Sequence, residues 1–198
     1  MSSQMQQSIE RDFIAGMHED ECWGPLKLLV GKWVGAREQQ IGTGEAAQFY
    51  EMRTFRRRSA VRESTTSQIV YPLLVSIQVF DFYHRDRQLS EETGYLLWKP
   101  EVQQVAYLAV QPAGISRLEC TGSLEEGNTC CLMFNSDRKG FGTLDTGVDQ
   151  FQSHLLSTQS ILIYDSRTFR FDQTVVFQDF GQKKSVHREV GELLRVAP

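Results

Sequence analysis

Four histidines, four cysteines and a run of arginines are the side chains with which this 198-residue chain could do chemistry. The histidines, His18, His84, His154 and His187, stand far apart and share no metal-ligand spacing. A single neutral imidazole can still donate to one metal ion or shuttle one proton. His187 also reads as an exposed side chain amid Lys183, Lys184 and Arg188. The cysteines, Cys22, Cys120, Cys130 and Cys131, form no Cys-x-x-Cys pair. Cys130 and Cys131 are adjacent, and on a strand they point to opposite faces, so a bridge between them would be strained. A reducing compartment leaves all four as thiols. Arg56-Arg57-Arg58 is a solvated basic tip or, through its planar guanidinium forks, a weak anchor for a carboxylate or phosphate head group. No Gly-x-Ser-x-Gly elbow is present, and no glycine-rich phosphate loop precedes a helix.

Composition narrows the classes of partner. The chain carries 21 Lys and Arg against 25 Asp and Glu, a formal net charge of −4. Nucleic-acid binding draws on a basic surplus that this balance lacks. No apolar run approaches the ~18 residues that cross a bilayer. The polar Met1–Gln7 stretch has no apolar signal core, so the expectation is a cytoplasmic protein with no membrane insertion. The length suits one domain.

These residues must be positioned mainly by strands. Aromatics make up 11% of the chain, and 168–177 alternates with period two, Phe169, Phe171, Gln173, Val175 and Phe177 sharing one face. Apolar runs at 94–99 and 105–110 flank a hairpin loop, and 115–121 pairs with 129–134 across Glu125–Asn128. Further strands are expected over 33–39, 47–56, 59–66, 73–83, 159–164 and 185–196. About ten strands with short connections predict a meander that closes or sandwiches itself. Residues 135–157 read as a long rim loop holding His154. Ser8 with Ile9, Phe13 and Met17 predicts a short helix packed outside the domain, and Pro25 opens a helical turn that Gly31 ends. The organisation expected is an N-terminal helical extension, 1–23, and a barrel domain, 24–198. Ten strands enclose more space than their own side chains fill, which makes a small-molecule cavity. Trp33 and Trp98 read as barrel-wall aromatics.

Two stretches carry a family resemblance. Gly24-Pro25-Leu26-Lys27-Leu28-Leu29-Val30-Gly31-Lys32-Trp33-Val34-Gly35 resembles the opening of the nitrobindin-like proteins, and Glu92 to Pro100 running on to Ile115 is similar to their central hairpin. Phe49-Tyr50-Glu51 and Thr54-Phe55 resemble their second strand. Gln173-Thr174-Val175 and the His187 strand resemble their C-terminus. The resemblance implies an all-β, ten-stranded antiparallel closed up-and-down barrel, like those of lipocalins and fatty-acid-binding proteins. It also implies b-type haem at the mouth, an axial His on the last strand, and haem-dependent nitric-oxide or peroxynitrite isomerase chemistry. His187 is the position that matches the axial ligand. Counted from the C-terminus it is displaced by one residue, which a bulge near Gly191 would absorb. The family's Pro-Thr-Ile segment is reduced to Thr43, and its Met-His pair reads Leu89-Ser90. Thr43, Leu89 and Ser90 are therefore the expected cavity-lining positions.

Three readings follow. The sequence favours a carrier or sensor of a small apolar molecule such as a fatty acid, without catalysis. The alternative is a haem-binding barrel acting through His187. The third is a self-filled barrel serving as an interaction module. A homodimer is compatible with each.

Overall fold

The computed structural model describes residues 21–111, 114–126, 128–137, 143–144, 153–179 and 184–196. The predicted helix over 8–17 lies outside them. A kinked 3-10 segment, Glu21–Leu29, leads into β1 (Gly31–Ile41) and β2 (Ala47–Arg57). There follow β3 (Val61–Arg62), β4 (Ile69–Asp81), β5 (Gln88–Lys99), β6 (Gln104–Gln111) and β7 (Gly114–Glu126). The chain then forms β8 (Thr129–Asp137), β9 (Thr143–Leu144), β10 (Ser153–Tyr164), β11 (Thr168–Asp179) and β12 (Lys184–Arg195). Setting aside the two-residue β3 and β9, ten strands remain. Each pairs antiparallel with the next, and β1 pairs with both β2 and β12. The ring is thus a closed up-and-down barrel, as the alternating pattern and the family resemblance predict.

Closure fixes which face of every strand looks inward, because directly opposed residues share a face. One end is a packed apolar plug. Trp33, Phe55, Leu73, Val75, Leu96, Trp98, Val105, Leu132, Phe134, Leu162, Tyr164, Phe169 and Leu193 are buried inside it. Cys22, Trp23, Leu26 and Leu29 of the 3-10 segment stop that end. Trp33 Nε1 donates to the Leu29 carbonyl at 2.7 Å, and the Tyr164 hydroxyl donates to the Pro25 carbonyl at 2.9 Å. Arg195 donates to the Val30 carbonyl at 2.9 Å and also to that of Leu28. The Val196 amide bonds the Lys32 carbonyl, so the chain leaves the barrel at this same closed end. The plug begins at Glu21 rather than Gly24, and Cys22 and Trp23 belong to the core. Gly24 lies at φ 46°, and a Cβ there would meet the Trp98 ring at 2.6 Å; both the bend and the contact require glycine.

Several sequence expectations shift. Only Val61–Arg62 of 59–66 is strand, because Glu63 closes a turn by accepting from Ser67 N and Thr66 Oγ1. Residues 153–157 belong to β10 rather than to a long loop, so His154 stands on a strand opposite Gln178. The strand reading missed 88–93, whose Ser-Glu-Glu-Thr stretch carries no apolar alternation, yet it pairs with β4 through a bulge at Val79/Phe80.

The β1–β12 seam is tight. A Cβ on Gly35 would lie 2.1 Å from the Glu192 carbonyl oxygen and 2.8 Å from Leu193 Cα. Backbone cannot yield as a side chain can, so Gly35→Ala should destabilise by about 3 kcal/mol in urea unfolding. Gly42→Ala, at φ 60° with nothing within 4 Å, should cost about 1 kcal/mol. Equal costs would contradict the seam argument.

Candidate functional site

The inward residues become more exposed from the plug to the opposite end. On β12 the inner row is Leu193, Gly191, Glu189, His187 and Ser185, and only the first is fully buried. β1 runs parallel to this gradient, from buried Trp33 through Gly35, Arg37 and Gln39 to Ile41, which is 56% exposed. The end opposite the plug is therefore an open mouth.

His187 lies on this inner row. It opposes Ile41 on β1 and Val175 on β11, and it is half-buried. β12 keeps unbroken register with both neighbours, so no bulge occurs at Gly191. None is needed, because His187 and Leu193 are six residues apart and share parity. Gly191 answers a different demand: a Cβ there would meet the Phe171 ring at 2.4 Å.

Between the mouth and the plug lies a tier of ionic groups that the sequence reading did not single out. Arg37 bridges Glu51, at 3.3 Å, and Glu189. Arg53 pairs with Glu51, which is fully buried, and its guanidinium lies 3.9 Å from the centre of the Phe171 ring. Gln39 Nε2 donates to Glu189 at 3.0 Å, and the Tyr107 hydroxyl donates to Glu92. Buried Ser160, opposite Gln173, faces the same level from β10, and buried Thr158, opposite Val175, faces the His187 row. The signal was available in the inner rows: Phe49, Glu51, Arg53 and Phe55 place two opposite charges in the middle of an otherwise apolar face.

Burial raises the Glu189 carboxyl above its ordinary 4.5; Arg37 opposes the shift, and the Glu51 charge adds to it. Burial, reinforced by Glu92, also holds the Tyr107 phenol well above its usual 10, so it acts as a neutral donor.

The other sequence candidates separate. Thr43 sits exposed in the β1–β2 turn, at the mouth. Leu89 is 44% exposed beside the β4–β5 bulge, and Ser90 opposes Val79 at the rim but is itself exposed. His84 lies in the β4–β5 turn and bonds Asp81 at 3.3 Å, away from the interior. Arg56, Arg57 and Arg58 lie at the closed end. Arg57 turns inward over the Trp23 ring at 5.4 Å, and Arg56 and Arg58 are exposed. About ten residues of β1 separate that level from His187, roughly 30 Å at strand rise, so these arginines cannot anchor a ligand held at His187. Among the described residues Cys22, Cys130 and Cys131 are thiols, and no group of three or more metal-binding side chains occurs. No described helix is long and apolar enough to cross a membrane.

The raised Glu189 value makes stability pH-dependent. A carboxyl whose folded value lies above its unfolded one contributes stability that is full below about pH 4.5 and is lost as pH rises through the folded value. Relative to Glu189→Gln, the wild type should therefore lose stability as pH rises from 4.5, by at most about 1.4 kcal/mol per unit. Urea midpoints across pH for both proteins check this, and a constant difference would refute it. Arg53→Met should cost about 3 kcal/mol in the same assay, because it leaves the fully buried Glu51 charge with only the longer bridge to Arg37, at 3.3 Å.

Comparison with known proteins agrees with this geometry. The structure resembles the crystal structure of Rv2717c from M. tuberculosis with TM-score 0.65 and 18% identity, covering 89% of this chain and 96% of that one. It also resembles the S-type phycobiliprotein lyase CPES from Guillardia theta with TM-score 0.52 and 8% identity, covering 94% and 97%. At these identities the likeness is one of fold. No protein of curated function matches the sequence. Residues 22–154 match the family described as the THAP4-like, heme-binding beta-barrel domain, so the chain belongs to that family of ligand-binding barrels.

Proposed function

We propose that the open mouth holds a b-type haem, with His187 as its protein-side axial ligand. The supporting observation is the inward, half-buried placement of His187 between Ile41 and Val175. Neutral imidazole is an ordinary iron donor, and the two aliphatic neighbours suit the face of a flat apolar macrocycle. Among the described side chains the donor set fits one axial ligand. Leu89 and Ser90 supply no second nitrogen, and His84 bonds away from the interior. Haem bound there would supply an iron centre able to take a small ligand such as nitric oxide or peroxynitrite. The protein's part is to fix the imidazole at the mouth on a strand held from both sides.

The ionic tier separates this reading from that of a fatty-acid carrier. A long acyl chain entering the barrel would have to displace or desolvate Arg37, Glu51, Arg53 and Glu189, and stranded buried charges are costly. A flat ligand seated at the mouth leaves the tier intact. The apolar plug below is already filled by side chains.

Hemin titration of purified protein should give a sharp Soret band. His187→Gly should weaken binding at least about 10-fold, and added imidazole should restore the band. Identical broad spectra from both proteins would end the haem reading. Native mass spectrometry of gently purified protein showing a bound fatty acid would put a carrier in its place.

A further inference from the structure

The outer wall of the barrel carries an apolar block that the mouth does not use. Pairing places Pro72, Leu97 and Ala106 in one row across β4, β5 and β6, and Leu74, Tyr95 and Leu108 in the next. All six alternate with the inward residues and so face outward. Tyr95 is 38% exposed, Leu74, Leu97 and Leu108 are half-buried, and Pro72 and Ala106 are buried between them. On the β2 side each row ends in an exposed arginine. Arg56 opposes Leu74, and the Arg58 amide bonds the Pro72 carbonyl at 3.0 Å. Ser76 and Thr93 close the block towards the mouth.

We propose that this wall is the seat of the chain's own N-terminal segment, residues 8–17. The segment offers Ile9, Phe13 and Met17 at helical spacing. In a helix these three would span about 12 Å, against roughly 10 Å across three strands. The path is short. The described chain begins at Glu21, and Trp23 packs edge-on against Tyr71 with ring centres 5.6 Å apart, one residue before Pro72. Three residues, His18 to Asp20, link Met17 to Glu21, enough to turn the closed rim at up to ~3.3 Å per step. Charge agrees as well. Over 8–20, Glu10, Asp12, Glu19 and Asp20 outnumber Arg11, and Arg56 and Arg58 flank the block. The arginine run thereby divides its work, with Arg57 inside over Trp23 and its two neighbours outside, attracting the acidic segment.

Hydrogen exchange on the full chain tests this. Amides of 8–17 should be protected at least about 10-fold over the unfolded rate, and Leu97→Gln with Leu108→Gln should abolish that protection. Phe13→Asp leaves every described strand unchanged and should abolish it even if the wall variant does not fold. Arg56→Glu with Arg58→Glu should reduce it, and salt should do the same. Random-coil exchange of 8–17 in the wild type would overturn the proposal, as would protection that survives the wall substitutions. A wild-type dimer in sedimentation that Phe13→Asp leaves intact but Leu97→Gln dissociates would assign the wall to a second copy instead.

Discussion

The closed ring of hydrogen bonds between β1 and its two neighbours is the constraint on which the other features rest. An open sheet can slip by one residue and turn itself inside out at little cost to its backbone pairing. A ring cannot, because slip at one seam must be matched at every other. Gly35 holds that seam by letting the β12 backbone approach where no side chain would fit. Once the seam is set, the inward parity of β12 follows, and with it the position of His187. The plug adds a second anchor, since Trp33 is at once an inner residue of β1 and a donor to the 3-10 segment.

Inside this frame the barrel has three levels of different chemistry. The apolar plug supplies the burial that drives folding. The ionic tier contributes little or nothing net to stability, because desolvating two guanidiniums and three carboxylates offsets their attraction. Its effect is selective: it divides a barrel that could have been one long apolar cavity into a filled base and a shallow mouth. That division changes the ligand shape the fold can accept, from a chain to a plate.

Much of the container was legible in the sequence, and less of its contents. Strong two-residue alternation marked β11, and apolar runs marked β5 and β6, because core burial writes itself into residue type. Residues 88–93 escaped notice because strands at the rim have no core to face, so only pairing with β4 reveals them. The facing of His187 was ambiguous because the count forward from Gln173-Thr174-Val175 and the count back from the C-terminus differ by one residue; in the structure it shares parity with buried Leu193. The ionic tier was hidden for the opposite reason. Glu51 and Arg53 stand in one alternating row that marks them, but their partners Arg37 and Glu189 come from the first and last strands, and each of those alone looks like a surface charge.

The plug has a consequence for how the barrel is carried. The described chain enters at Glu21 and leaves at Val196, and both points sit at the stopped end. Whatever grips the barrel at these two points holds it by its base, like the stem of a cup. The rim would stay unobstructed, and ligand could come and go without the barrel letting go of what carries it.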